Sequence, residues 1–492
     1  MANYAEFVAV KFAVARLGAA IIPVNFNLRG AELHYVLAQS EAKLLITMDR
    51  FRGYDYLNDL DAIAPGWRRG ASDALPALSA AIVFETEAPL EADGRSTLDY
   101  DATRANPAPV GLATDTSDIL YTSGTTGRSK GVVISHDMVL RSAWSSVYHR
   151  AFEDGRRIMH ALPMYHVFGY VECLIASMWV GGAVIINLLF EPTRFLEMAE
   201  EHRATDIICL PTMTMKLLEV IPERGYDASH LICMFNSGGV NPAWIWQRIR
   251  DLIPAPEIHT AYGMSETTAS ATCTLPEDND RRLLESNGRF KLSGAAGSAD
   301  SGGFVAIYKV VDPATGYDLA PGTTGELVVR GPVVTRGYFK KPAETAAAYT
   351  HDGWLHTGDL GHVDADGYVT LTGRLKETYR CGGEMVTPRE IELVLEEHPD
   401  VEQALAVGVP DERMGDVGCA CIVVADGASP PDAAELIAMC TANLARFKVP
   451  RHILFITAED IPLTVTGRPQ KHLLAALARE RLNAPQPAQH AA

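Results

Sequence analysis

The sequence contains no CxxC pair and no HExxH, and its eight cysteines are scattered, with only Cys419 and Cys421 close together. Neither a zinc framework nor a disulfide scaffold is therefore indicated. The common P-loop is also missing, because no GxxxxGK is followed by Ser or Thr. No basic tract offsets a formal net charge of −18. Nucleic acid is accordingly not expected as the main partner, and an anionic ligand must be held by locally placed cations. The opening stretch MANYAEFVAVKFAVARLG carries Glu6 early and has no basic n-region, so it does not read as a signal peptide. Long apolar runs are scarce as well. Cys173 to Phe190 has 18 uncharged residues, near the lower limit for a membrane span, but Gly181-Gly182 divides it and Asn187 interrupts its second half. A buried helix, a turn and a buried strand over Val184-Ile185-Ile186 are expected there, in a cytoplasmic protein with no integral membrane segment.

What the sequence does have is ordinary globular chemistry, 47% hydrophobic and 21% charged over 492 residues, enough for two or more domains. Apolar periodicity predicts helices over residues 4–17 and 30–40 and strands over 20–24 and 43–48, and this alternation argues for a parallel sheet covered by helices. A polar passage follows from about 87 to 117, and further βα units run to about 275. From Phe304 to Thr372 the pattern is strand-rich, punctuated by Pro321-Gly322, Asp352-Gly353 and Asp366-Gly367. After Gly373 come a helix over 389–397, strands over 404–409 and 419–424, a helix over 431–444 and a strand over 453–456, a small α+β set. The last ten residues read as disordered.

Several short segments carry chemistry. YTSGTTGRSKGV, Tyr121 to Val132, lies between two apolar runs that read as strands. Glycines there let backbone approach a ligand, amide groups can surround an anion, Thr122, Ser123, Thr125, Thr126 and Ser129 add hydroxyls, and Lys130 adds a full charge. That chemistry suits a polyphosphate, although a lone glycine-rich turn is more often a plain strand connection. ALPMYHVFG, Ala161 to Gly169, sets His166 among aromatics, where a histidine is more often part of a core. FNSGGV, Phe235 to Val240, places Gly238-Gly239 after an apolar run. In AYGMSETT, Tyr262 offers a ring for stacking, Ser265 and Thr267 offer hydroxyls, and Glu266 is a hard oxygen donor suited to Mg²⁺. Asp359 in DGWLHTGDLG can accept from two adjacent ribose hydroxyls. GRLKETYRCGGEMV offers Arg374, Lys376 and Gly382-Gly383, and TVTGRPQK ends with Arg468 and Lys471 nearby.

None of these decides the matter alone, but their order along nearly the whole chain resembles the adenylate-forming, AMP-binding superfamily of acyl-CoA synthetases, adenylation domains and luciferases. The resemblance implies a large α/β N-terminal domain with βα-type sheets and a strand-rich subdomain, and a small mobile α+β C-terminal domain. The expected boundaries are 1–373, 374–482 and a tail 483–492. It implies ATP-dependent activation of a fatty or aryl carboxylic acid to an acyl-adenylate, then thioester formation with coenzyme A, with loading of a carrier protein, or a catalytically weakened acyl-adenylate binder, as alternatives. By resemblance, the phosphates fall to Thr122, Ser123, Gly124, Thr125, Thr126, Gly127 and Lys130. Adenine falls to Gly238, Gly239 and Tyr262, with Gly263 and Met264 beside them; phosphate and Mg²⁺ fall to Ser265 and Glu266; ribose falls to Asp359 and Arg374. His166 marks the acyl entrance, Lys376 the hinge and Gly383 the thiol tunnel, with residues 164–170, 209–215 and 235–240 lining the acyl pocket. The partners are thus the acid, ATP and CoA, with a homodimer left open.

Two departures stand out. Where the family's C-terminal motif reads TGK, with its lysine at the reacting phosphate, this chain has Arg468; Lys471, three residues on, is the other candidate. Arginine keeps the charge but presents it as a planar fork, so the exchange is not conservative at a positioned site. The family generally also carries some tens of residues, an early strand and helices, ahead of the segment matching NYAEFVAVKFAVARLGAAIIPVN, and by the resemblance residues 1–373 are expected to lack that first segment.

Overall fold

In a computed structural model of this chain, the described residues are 1–70, 72–86, 110–122, 129–238, 241, 244–255, 257–463 and 469–483. Asp206–Cys209 is buried along its whole length, as a parallel strand covered on both faces must be. It is the middle strand of a five-stranded sheet ordered Glu257–His259, Cys233–Asn236, Asp206–Cys209, Arg157–His160, Ala183–Ile186, in which every neighbouring pair is parallel. The helices Pro192–Glu201, Pro211–Arg224 and Trp244–Leu252 bring Phe195, Leu196, Leu217, Ile245 and Ile249 into one core with Ile207 and Ile208. Two of them start on proline, which has no N–H to lose in a first turn. Glu191 caps one, accepting from the backbone N–H groups of Thr193 at 3.0 Å and Arg194 at 2.6 Å.

Thr116–Thr122 and Lys130–Ser135 form an antiparallel hairpin with Thr122 opposite Lys130. The glycine-rich stretch thus opens from a strand end, as its flanks indicated; residues 123–128 lie outside the described residues. The helices expected at residues 4–17 and 30–40 form as Ala5–Arg16 and Gly30–Ser40. The strand expected at 20–24 does not. Only an isolated parallel bridge joins Ile21 to Asp118, and Pro23, which has no N–H to offer a ladder, stands in the segment. The uncharged run becomes a π-helical turn, Tyr170–Ile175, a short helix, Ala176–Trp179, and the strand Ala183–Ile186. Among the described residues, no helix is long and apolar enough to cross a membrane.

The backbone divides into two compact units: Met1–Tyr308, Val329–His356 and Asp366–Tyr368 in the larger, and Lys309–Val328, Thr357–Ala365 and the chain from Val369 in the smaller. The strand-rich region yields a four-stranded sheet ordered Ile307–Val311, Gly325–Arg330, Leu355–Val363, Val369–Arg374. Beyond it, the smaller unit builds a sheet from Glu384–Val386, Tyr379–Cys381, Gly415–Val424 and Val401–Asp411, with His452–Phe455 added beside Gly415–Val424. The helices Pro388–Leu395, Ala433–Asn443 and Lys471–Asn483 contribute Ile391, Leu395, Leu436, Cys440 and Leu474 to its core.

Inside the larger unit, a charged cluster is sealed from solvent. Glu172, on the π-helical turn, meets Lys291 Nζ at 2.9 Å and Arg150 Nη2 at 3.4 Å, and all three side chains have 0% exposure. The Ser270 backbone N–H and hydroxyl both donate to the same carboxylate, the former at 3.1 Å. Lys291 also donates to Ser146 Oγ at 2.5 Å. Burial alone pushes the Glu172 carboxyl up, but Lys291, Arg150 and the Ser270 hydroxyl outweigh it and hold the group at about 2, below its ordinary 4.5. A carboxyl depressed in the folded state stabilises fully above its unfolded value, and that contribution is lost as pH falls from about 4.5 toward about 2. Replacing Lys291 with Met should cost about 3 kcal/mol at neutral pH, because it leaves the buried Glu172 carboxylate with Arg150 at 3.4 Å as its remaining ion-pair partner. Urea denaturation across pH should also show a weaker loss of stability between pH 4.5 and 2 in that variant than in the native chain.

Candidate active site

The segment Ala161–Gly169 is pinned by the start of the chain. Asn3 Nδ2 donates to the carbonyls of Leu162 at 2.9 Å and Asn187 at 3.2 Å, while Asn3 Oδ1 accepts from Met164 N–H at 2.9 Å. His166 opens a short turn and accepts on Nδ1 from Phe168 N–H at 3.2 Å, so the neutral ring carries its proton on Nε2. Phe168 packs edge-on against Phe235, with centroids 5.8 Å apart. Gly238, at φ 90°, stands where a Cβ would lie 2.7 Å from Leu210 and 3.4 Å from the Phe168 ring. Thr214 Oγ1 donates to Asn236 Oδ1 at 2.9 Å. Three segments distant in sequence, around 168, 210–214 and 235–238, therefore close on one another, the group expected to line an acyl pocket.

Ser237 Oγ donates to Ala261 O at 2.6 Å and joins this group to the next motif. Tyr262, Gly263 and Met264 lie on the strand Ala261–Met264, paired antiparallel with Ala269–Cys273. Tyr262 is buried, its ring centroid 5.7 Å from that of Tyr308. Ser265 and Glu266 follow in a single 3₁₀ turn, both buried. Glu266 Oε1 accepts from the Tyr338 hydroxyl at 3.1 Å, and the Glu266 carbonyl accepts from Thr335 N–H at 2.8 Å. Lys130 Nζ lies 4.4 Å from the centroid of the same Tyr338 ring, within cation–π range. Burial first, and the Glu266 charge second, push the Tyr338 phenol above its ordinary range, so it stays a hydrogen-bond donor. One tyrosine thus places the cation at the mouth of the glycine-rich hairpin beside the carboxylate of the SET turn.

The smaller unit organises its own candidates. Asp359 and Arg374 are partners across the Leu355–Val363 and Val369–Arg374 strands, with Arg374 Nε 3.0 Å from Asp359 Oδ1. Lys376 follows in the turn where Glu377 N–H donates to Arg374 O at 3.1 Å. Gly382 and Gly383, at φ 61° and 91°, form the hairpin tip between Tyr379–Cys381 and Glu384–Val386. Left-handed backbone at two successive positions is what glycine permits cheaply. Lys471 begins the last helix and is held within the unit, with Nζ 2.5 Å from Glu392 Oε1 and 3.5 Å from Glu377 Oε2, and only 12% of its side chain exposed.

Among the residues singled out from sequence, the structure brings Lys130 and Glu266 together through Tyr338. It brings the His166 segment to Gly238 through Phe168, and Asp359 to Arg374. Ser123, Gly124, Thr125, Thr126, Gly127, Gly239 and Arg468 lie outside the described residues. Tyr338, Thr335, Glu172 and Glu392 belong to none of the motifs in the sequence. Tyr338 stands in RGYFKK, an aromatic between glycine and lysines, but nothing local connects it to Glu266, 72 positions earlier.

A family model described as "AMP-binding enzyme" matches residues 1–339, and one described as "AMP-binding enzyme C-terminal domain" matches residues 390–468. Over 98% of this chain and 87% of the relative, the chain is 34% identical to the putative acyl-CoA synthetase YngI of Bacillus subtilis (strain 168). It is 31% identical to the feruloyl-CoA synthase of an Amycolatopsis species, over 95% of this chain and 85% of that protein. Among solved structures it resembles ATP-bound MatB from Rhodopseudomonas palustris, with a TM-score of 0.83 and 27% identity over 98% of this chain and 88% of that one.

The pairing of Lys471 has a measurable consequence. Replacing it with Met leaves Glu392 buried with Arg389, 3.6 Å away, as its remaining ion-pair partner. A loss of about 1–3 kcal/mol is expected. Hydrogen exchange should show reduced protection in the strands Val401–Asp411 and Gly415–Val424 and unchanged protection in Asp206–Cys209.

Proposed function

The chain belongs to the AMP-binding enzymes, and on that premise we propose that it is an AMP-forming acid:CoA ligase acting on a hydrophobic carboxylic acid, fatty or aryl. The observation that carries this reading is the meeting of Lys130 and Glu266 on the ring and hydroxyl of Tyr338. It sets the cation of a hydroxyl-rich loop beside a hard carboxylate, on the turn after the Ala261–Met264 strand, which Ser237 ties to an apolar group built from Phe168, Leu210 and Phe235.

The substrate carboxylate attacks the α-phosphorus of ATP in line, pyrophosphate leaves, and the acyl-adenylate forms. Negative charge spreads over the phosphoryl oxygens as the bond exchange proceeds. Lys130 and the loop's hydroxyls and amides stabilise that charge more than they stabilise bound ATP, which is what lowers the barrier. Glu266 presents the oxygen chemistry that Mg²⁺ takes alongside water and phosphate, and magnesium, when bound, neutralises polyphosphate charge. Asp359, oriented by Arg374, accepts from the ribose hydroxyls, and Gly238 and Tyr262 take the adenine. In the second step the CoA thiol attacks the acyl carbon and AMP leaves. Residues 1–373 and 374–482 act as large and small domains about Lys376, with Gly383 beside the thiol path. Because Lys471 is committed to Glu392 and Glu377, the cation of the first step is assigned to Arg468.

Pyrophosphate release with fatty and aryl acids, with and without CoA, tests the reading. It predicts pyrophosphate and acyl-CoA in equal amounts; pyrophosphate without acyl-CoA would exclude the thioester step. Glu266→Gln should lower the adenylation rate on the order of 10²-fold, as removal of a charge-stabilising group does elsewhere. Arg468→Ala should slow adenylation far more than Lys471→Ala, and the reverse ranking would return the role to Lys471.

A further inference from the structure

At one edge of the five-stranded parallel sheet, Cys233 is the register partner of Glu257, and Phe235 that of His259. Side chains two apart on a strand share a face, so Glu257 and His259 project together beside Cys233. The thiol sulfur, a carboxylate oxygen and an imidazole nitrogen all lie within 4.8 Å of one another. Cys233 and His259 have 0% exposure, whereas 20% of the Glu257 side chain reaches solvent and gives the cluster an outlet.

His259 Nδ1 lies 3.0 Å from the Thr274 carbonyl, which can only accept, so Nδ1 carries a proton and Nε2 faces the cluster. Neither Nε2 nor Glu257 Oε2 has a hydrogen-bond partner, although both atoms are buried. They are 3.6 Å apart, and Arg156 Nη2 is 3.7 Å from the same oxygen. These separations are too long for hydrogen bonds. Arg156 also faces Asp206 at 3.5 Å, so its charge is not left to Glu257 alone. The two atoms face each other as a long ion pair short of hydrogen-bond contact, and buried polar groups left in that state are costly unless something completes their contacts.

We propose that Cys233, Glu257 and His259 bind a divalent transition metal of the zinc type. One sulfur, one nitrogen and one oxygen form a donor set for a borderline-soft ion, with a fourth position open to water. An Nδ1–H held by a backbone carbonyl is also how metal-binding imidazoles are commonly oriented. Bonds of about 2.0–2.3 Å place tetrahedral ligands roughly 3.3–3.7 Å apart, so the side chains need to close by about 1 Å. Cys233 gives up its thiol proton to solvent as the sulfur–metal bond forms. The ion joins an edge strand to its neighbour just ahead of the Ala261–Met264 strand, and the site is independent of the proposed ligase chemistry.

The test uses the full chain, stripped with chelator and titrated with Co²⁺ and Zn²⁺ in the absence of ATP and Mg²⁺. The expected result is one equivalent of Co²⁺ with a thiolate-to-metal charge-transfer band, a raised thermal midpoint with Zn²⁺, and loss of the band in a folded Cys233→Ser variant. Should that variant fail to fold, Glu257→Gln, partly exposed, should weaken Co²⁺ binding at least about tenfold, because it removes an anionic ligand. Absence of the band, its persistence in Cys233→Ser, or equal affinity in Glu257→Gln would overturn the proposal.

Discussion

The Glu172 carboxylate is the constraint on which the interior of the larger unit depends. It sits on the π-helical turn that follows the His166 segment, accepts from Ser270 on the strand that follows the SET turn, and pairs with Lys291 and with Arg150, the residue closing the His136–His149 helix. Four stretches of chain thus share one buried anion. A charge removed from water is tolerable only with its partners in place, so these stretches must arrive together in one register. The π turn itself is unusual and carries the carboxylate. It shows where a local departure from α-helix serves a long-range contact.

The same economy recurs closer to the chemistry. Tyr338 gives Glu266 a hydrogen bond and Lys130 a ring face, so one side chain holds both groups. Ser237 links the apolar group to the Ala261–Met264 strand through a single hydroxyl. In the smaller unit, the strand register sets Asp359 opposite Arg374, and Glu392 both accepts from Ala406 N–H at 2.9 Å and holds Lys471. Lys471 therefore combines two possible readings of a basic residue, and its burial against a carboxylate favours the structural one.

Much of the fold was legible because periodicity and punctuation are local. The helices at 5–16 and 30–40, the split of the uncharged run, and the small α+β set after 373 all follow from patterns a few residues long. The expected strand at 20–24 failed because β-branched, apolar residues signal a strand whether or not a ladder partner is available, and Pro23 removes a donor. The motifs proposed for the site were legible in their order along the chain. Tyr338, Thr335 and Glu392 were not, because each acts through a partner far away in sequence and carries no spacing of its own.

Motif order by itself determined the family and the reaction class, since glycine-rich backbone, hydroxyls, a lysine and a carboxylate state their chemistry in one dimension. Only the tertiary structure decided which of those groups face one another. It committed Lys471 to Glu392, put Tyr338 between Lys130 and Glu266, and gathered Cys233, Glu257 and His259 in a chain whose cysteine spacing indicated no metal framework. The physical reason is that hydrogen bonds, ion pairs and metal ligation act over a few ångströms. Folding sets those distances between residues that the sequence keeps tens or hundreds of positions apart.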